Sequence, residues 1–382
     1  MKIGVLTETL QGERRVALVP DGAAKLAAAG FEVVVQSGAG AAADFCDDAY
    51  RDAAAALAPD RESVLSTTDV LLAVQAPAIE DVALLRPGAV TISFLQPATQ
   101  GAVVEALAAR GVTAFSLELV PRISRAQSMD ALSSQASLAG YKAVLMAADR
   151  LGKFFPMLMT AAGTIPPARV LVLGAGVAGL QAIATARRLG AVVEAYDVRV
   201  AAREEVKSLG ATFLELELET QEGQGGYARE QSEEFLAKQR ELLTDRVGRA
   251  DVVITTAAVP GRRAPVLVTA PMVKAMRRGS VIVDLASETG GNCELTEPGR
   301  VIDVDGVWID GTTNVPSTVA LHASQLYSRN VTNLLEHLTH DGEVRIDFED
   351  EITRGACVTH GGEIVNERAR QMMEAPQETG AR

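Results

Sequence analysis

"VLVLGAGVAGLQAIATARRLGAVVEAYDVR", residues 170–199, decides the fold. An apolar β-branched run leads into Gly174, Gly176 and Gly179, spaced G-x-G-x-x-G, and these glycines open an Ala-rich helical stretch. Asp197 lies 18 residues beyond Gly179, at the end of the next apolar run. Each feature has a physical task. Gly174 permits a tight turn, Gly176 lets backbone approach a pyrophosphate, and Gly179 lets helix and strand pack closely. The helix start favours an anion through its dipole and unpaired N–H groups, so Val177 and Ala178 are read as cofactor-binding together with the glycines. Asp197 can accept hydrogen bonds from a ribose hydroxyl, and its charge opposes a 2′-phosphate. The stretch therefore reads as a strand–helix–strand unit for NAD rather than NADP. A glycine turn serving packing alone would leave the acid unexplained. Arg199 stays open: it could meet a 2′-phosphate or remain solvated, and the strand-end position of Asp197 favours the second.

Outward from this unit, apolar runs alternate with Ala-rich helical stretches. "KIGVL" (2–6), "FEVVVQ" (31–36), "DVLLAV" (69–74), "VTISFL" (90–95) and "VTAFSLE" (112–118) form one series. "RVLVLG" (169–174), "VVEAYD" (192–197), "TFLEL" (212–216), "DVVITT" (251–256), "SVIVDL" (280–285) and "VWIDG" (307–311) form a second. Continuous apolar runs suit strands covered on both faces of a parallel sheet. Long helices are predicted over 131–152 and 317–339, and a hairpin over "ACVTHGGEIV" with Gly361–Gly362 in its turn. The expected fold class is α/β: two Rossmann-like domains with parallel sheets, the second inserted in the first and linked to it by two long helices. The expected domains are 1–128 with 320–382, and 129–319. Such a layout puts a ligand cleft between domains.

The bulk composition excludes other classes. The chain has 382 residues, 48% of them hydrophobic, which suffices for two cores. A net charge of −13 argues against nucleic acid, which requires a basic face. Three cysteines without a C-x-x-C pair give neither a disulfide framework nor a zinc site. The start "MKIGVLTETL" reads as a strand and not as a signal peptide. No apolar run reaches the roughly 18 residues of a membrane span. His322, His337, His340 and His360 lack ligand spacing, so no metal is expected. Cys293 reads as a buried small residue, and "QSEEFLAKQREL" (231–242) as a solvated helix face.

"PRISRAQSMDALSSQ", residues 121–135, crowds Arg122, Ser124, Arg125, Gln127, Ser128 and Asp130 into nine residues before a long helix. The plain reading is a surface loop with Ser128 or Asp130 as helix cap.

"RISRAQSMDALSSQ", "AAGTIPPARVLVLGAGVAGLQAIATARRLGA", "VPGRRAPVLVT" and "GGNCELTEPG" resemble the NAD(H)-binding domain I, the leading portion of the alpha subunit, of Re/Si-specific proton-translocating NAD(P)+ transhydrogenase. The likeness covers nearly the whole chain, and alanine dehydrogenase is similar to it in layout. The resemblance implies NAD(H) as cofactor. It implies that Arg122, Asp130 and Ser133 hold the carboxamide or its surroundings, and that Gln127 faces the nicotinamide of a partner. Arg122, Gln127 and Asp130 are thus the candidate catalytic residues. "GQGGYARE" (223–230) resembles the family's mobile loop, with Tyr227 closing over nucleotide; a Gly-rich surface turn is the plain alternative. The implied partners are an NADP(H)-binding beta subunit and a membrane-spanning subunit that carries proton translocation. A homodimer is implied as well. The implied location is cytoplasmic, peripheral on the inner (plasma) membrane through those partners, because no membrane helices precede Arg382.

One absence separates the two relatives. Oxidising an amine or alcohol moves a proton as well as a hydride and needs a general base. Alanine dehydrogenases carry Lys in a "VKEP"-like segment and His in a "FLH"-like one. Here these read "VQAP" and "FLQP", with Gln75 and Gln96, although Arg15 in "RRVALVP" matches. Direct transfer between two nicotinamides needs no side-chain base, only C4 atoms held about 3–3.5 Å apart. The alternatives are an alanine-dehydrogenase-like oxidoreductase and a non-catalytic NAD-binding module.

Overall fold

The computed structural model describes residues 1–215, 233–258 and 263–374. The chain forms two compact units, Met1–Gln135 with Ser317–Arg382, and Ala136–Pro316. Both are α/β with mainly parallel sheets.

The first unit opens with β1 (Lys2–Val5), β2 (Glu32–Gln36), β3 (Ala56–Ala58), β4 (Val70–Leu72), β5 (Val90–Ser93) and β6 (Thr113–Ser116). They pair in parallel in the order β6-β5-β4-β1-β2-β3. Period-2 alternation gives each strand two buried faces. Ile3, Val35, Leu72 and Ile92 enter one core together with Tyr327, Val331, Leu334 and Leu338 of the helix Ala320–Leu338. Leu71, Val34 and Ala114 enter the other, under Val103, Val104 and Leu107 of the helix Gly101–Ala109.

The chain enters the second unit along the helix Ala131–Arg150. A hairpin, β7 (Leu158–Thr160) with β8 (Gly163–Ile165), precedes the main sheet. That sheet contains β9 (Arg169–Leu173), β10 (Val192–Tyr196), β11 (Thr212–Phe213), β12 (Val252–Thr255), β13 (Val281–Asp284), β14 (Val301–Val304) and β15 (Val307–Asp310). The order is β11-β10-β9-β12-β13-β15-β14, and of these described strands only β14 is antiparallel. Strand order reverses beside β9, the doubly wound arrangement in which ligands bind beyond the strands' carboxyl ends.

After Ala320–Leu338 a small hairpin, β16 (Thr339–His340) with β17 (Glu343–Val344), leads to β18 (Cys357–His360) and β19 (Glu363–Ile364). These last two add antiparallel to β6 at the edge of the first sheet. Gly361 and Gly362 turn the hairpin at φ 59° and 89°, a left-handed pair that suits glycine.

Several elements differ from the sequence reading. "TFLEL" yields only the two-residue β11 within the described residues. The second long helix is preceded by a 3-10 turn, Val315–Val319, and starts at Ala320. The helix Glu233–Arg249 is not merely a solvated face: Phe235, Gln239, Leu243 and Val247 are buried along one side.

Candidate functional site

The glycine turn follows β9 directly. Gly174 sits at φ 99° and donates its N–H to the Tyr196 carbonyl at 2.8 Å, which ties the turn to β10. A Cβ on Gly179 would lie 1.9 Å from the Gly174 carbonyl oxygen, so no larger residue fits there. A Cβ on Gly176 would meet nothing within 4 Å. The backbone at Gly176 therefore faces open space, where a bound group can come close. The helix Val177–Arg188 starts there, and Leu180 makes its first return bond, to the Gly176 carbonyl at 2.8 Å. The N–H groups of Val177, Ala178 and Gly179 precede that bond and have no carbonyl four residues back within the helix. They carry the positive end of its dipole.

Asp197 stands at the end of β10 beside this turn. Its Oδ2 accepts the Ala175 N–H at 2.7 Å. Arg199 closes on the same carboxylate, with Nε 3.0 Å from Oδ1 and Nη2 2.9 Å from Oδ2, and its backbone N–H donates to Oδ1 at 2.8 Å. Arg199 is thus not the solvated side chain favoured from sequence. It is a forked partner of Asp197, 26% exposed. A cavity adjoins the pair, lined by Tyr196, Asp197, Val198, Arg203, Phe213 and Phe235 among others. Burial pushes the Tyr196 phenol up to about 12, and Gln239 donates to its oxygen at 3.0 Å. Arg203 and Glu215 pair across this region at 2.8 Å. Sequence reading missed Arg203, Phe213 and Phe235, because nothing in their local pattern marks them as lining a cavity.

In the first unit, residues 121–130 leave the 3-10 turn Leu117–Leu119 and form another over Ser124–Met129. Ala126 and Met129 are buried; Arg122 and Gln127 are exposed. Asp130 caps the long helix. Its Oδ1 accepts the Ser133 N–H at 2.8 Å and its Oδ2 accepts the Ser133 hydroxyl at 2.6 Å. Arg122, Gln127, Asp130 and Ser133 thus lie on one segment of this unit. Tyr227, with 223–230, lies outside the described residues.

The carboxyl ends of β1, β4, β5 and β6 carry a second polar group, in which Arg15, Gln75 and Gln96, singled out in the sequence, are joined by Glu8, Glu13 and Glu118, which were not. Glu13 accepts Arg15 Nε at 2.8 Å and Nη2 at 2.6 Å, and Gln75 Nε2 at 2.8 Å. Arg15 also donates to Gln135 at 2.9 Å. Burial pushes the Glu13 carboxyl up, but the bonds and charge of Arg15 outweigh it and hold it at about 2. Glu8 accepts the Val74 N–H at 2.6 Å and that of Gln75 at 3.2 Å, and burial drives its carboxyl up to about 7. Glu118, accepting the Leu95 and Gln96 N–H groups, is raised chiefly by burial. Gln96 Nε2 reaches Gln75 Oε1 at 3.3 Å. For the acids, the "E-R-R" run at 13–15 offered a sign, an acid placed beside the arginine.

The thiol of Cys293 is buried and pushed up to about 11, which keeps it protonated and unsuited to nucleophilic attack. Among the described residues no three His, Cys, Asp or Glu side chains form a metal-holding group. Among them no helix is long and apolar enough to cross a membrane.

A doubly wound sheet with a G-x-G-x-x-G turn, an acid at the next strand end and a second α/β unit define a two-unit oxidoreductase of the nucleotide-binding kind. Two family descriptions match: "Alanine dehydrogenase/PNT, N-terminal domain" over residues 4–139, and "Alanine dehydrogenase/PNT, C-terminal domain" over 143–367. The chain is 51% identical to the first of the alpha-subunit chains of NAD(P) transhydrogenase from Rhodospirillum rubrum, over 96% of this chain and 98% of that one. It matches the crystal structure of transhydrogenase from Sinorhizobium meliloti with a TM-score of 0.87 at 45% identity, covering 96% of this chain and all of the other. It matches L-alanine dehydrogenase with a TM-score of 0.83 at 28% identity, over 97% and 99% of the two chains. The chain belongs to the family of NAD(P) transhydrogenase alpha subunits, with alanine dehydrogenase as a more distant relative.

Proposed function

We propose that this chain is the NAD(H)-binding subunit of a Re/Si-specific, proton-translocating transhydrogenase. It acts as a homodimer, and hydride passes directly between NAD(H) held here and NADP(H) held on a beta-subunit partner. A membrane-spanning partner couples this transfer to proton translocation, so the chain works on the cytoplasmic face of the inner membrane. The observation that carries the cofactor assignment is the open approach at Gly176, flanked by the helix start and by Asp197. A dinucleotide fits these residues: a cradle without a Cβ, N–H groups for a pyrophosphate and a carboxylate for a ribose. When bound, the nicotinamide supplies the hydride chemistry. This chain's residues bind and orient. The N–H groups of Val177 to Gly179 meet the phosphates, Asp197 accepts from the ribose hydroxyls, and the cavity beside Tyr196 takes the adenine. Arg122, Asp130 and Ser133 hold the carboxamide end, and Gln127 faces the partner's ring. No proton transfer is asked of a side chain.

The two amides support transhydrogenation over amino-acid oxidation. Gln75 and Gln96 stand where alanine dehydrogenases carry lysine and histidine, and neither amide can serve as a base at neutral pH. Glu8, buried and raised to about 7, favours a second reading as a dehydrogenase with altered proton chemistry. An assay of the purified chain with NADH, pyruvate and ammonia separates the two. No pyruvate-dependent NADH oxidation is expected; appreciable oxidation would support the second reading.

A further inference from the structure

Gln127 lies in the 3-10 turn Ser124–Met129 and Arg122 just before it, and the hydrogen bonds of such a turn are weak. Besides the burial of Ala126 and Met129, side-chain hydrogen bonds within the first unit tie it down. The Ser128 carbonyl accepts Nδ2 of Asn330 at 2.8 Å and Nδ2 of Asn333 at 3.1 Å, both from the helix Ala320–Leu338. Arg125 Nη1 donates to Asp350 Oδ1 at 2.6 Å. Asp350 is fixed in turn. Its Oδ2 accepts the Thr353 N–H at 2.8 Å as cap of the helix Glu351–Ala356, and lies 2.9 Å from His337 Nε2. These donors, with Arg125, hold its carboxyl well below the usual carboxylate range despite its burial. Asn330 is 5% exposed, and its Oδ1 is buried without a partner among the described residues. A buried amide left half-satisfied costs free energy. Packing alone would be better served by an apolar residue, so its donation to Ser128 is the contact that accounts for it.

We propose that Asn330 and the Arg125–Asp350 pair are positioning residues for hydride transfer. They touch neither nucleotide; they fix residues 121–130 so that Arg122 and Gln127 are presented in one geometry. The inference rests on the reading of that segment as nucleotide-facing. Transfer between two rings is steep in distance, and a misplacement of about 1 Å can cost on the order of 100-fold in rate. Loosening the clamp should therefore slow transfer far more than it weakens NADH binding.

The test uses the full chain reconstituted with an NADP(H)-binding subunit, in single-turnover transfer, with NADH affinity and melting temperature measured separately. The variants are Arg125→Ala, Asp350→Asn, their double, Arg125→Lys and Asn330→Ala. The pair is partly exposed, with Arg125 at 52%, so little stability rides on it. Expected is a loss of transfer rate on the order of tenfold in Arg125→Ala, Asp350→Asn and Asn330→Ala, NADH affinity within about twofold, no further loss in the double variant, and recovery in Arg125→Lys. Unchanged transfer in the single variants would overturn the proposal. So would a slow Arg125→Ala beside a normal Asp350→Asn, since Arg125 would then act by touching the partner directly. Parallel loss of rate, affinity and melting temperature would reduce the clamp to a folding element. Failure of the underlying reading looks different: the unaltered chain would then give no transfer at all.

Discussion

Asp197→Asn should weaken NADH and strengthen NADPH at the same site. In the native chain the Asp197 carboxylate accepts from Ala175 and is forked by Arg199 at 2.9 and 3.0 Å. An asparagine keeps an oxygen for the Ala175 N–H, so the turn survives. It loses the charge that a ribose diol would bond to. A hydrogen bond to a charged group is worth about 1.5–3 kcal/mol, so NADH affinity should fall by roughly one to two decades. The same change removes the anion that holds the Arg199 fork. The guanidinium then becomes available to a 2′-phosphate, for which a planar fork is well suited. NADPH should gain affinity, and Arg199→Ala in the Asp197→Asn background should abolish that gain. Calorimetric titration of the native chain, the two single variants and the double with both nucleotides measures each effect. Unchanged NADH affinity in Asp197→Asn would refute the ribose contact. An NADPH gain that survives loss of Arg199 would refute the role given to the fork.

Arg122→Ala should lower NADH affinity and transfer rate together, whereas Gln127→Asn should leave NADH affinity nearly unchanged and slow transfer steeply; stopped-flow transfer beside equilibrium binding separates the two. Glu8 has a folded pKa raised to about 7 from an ordinary 4.5, so its contribution to stability is fully present below about 4.5 and is lost as pH rises through 7, by at most about 3 kcal/mol. Glu8→Gln should therefore gain stability over the native chain between pH 5 and 8 in urea unfolding, and parallel curves for the two chains would contradict the raised value.

What the sequence made legible was local. The glycine spacing, the apolar run before it and the acid after it lie within thirty residues, and they appear as β9, the helix Val177–Arg188 and β10. Asp130 as a helix cap was readable for the same reason, since a cap acts on residues three positions away. The strand β3 was not readable. "ALA" has no β-preference of its own and is a strand because β2 supplies the ladder. The Glu8, Glu13, Gln75 and Glu118 group joins residues up to 110 positions apart, and only the strand order brings them together. The Arg199 fork failed for another reason. Sequence gives the proximity of Asp197 and Arg199 but not the side-chain geometry that turns one onto the other.

The most direct test is hydride transfer in a reconstituted complex. Purified chain, an NADP(H)-binding subunit, NADPH and an oxidised NAD analogue are mixed in stopped flow, and reduction of the analogue is followed. The account predicts transfer that requires both proteins and proceeds without added acid, base, metal or amino acid. Absence of transfer from a complex in which both nucleotides are bound would contradict it, as would reduction of the analogue by the chain alone with alanine as hydride donor.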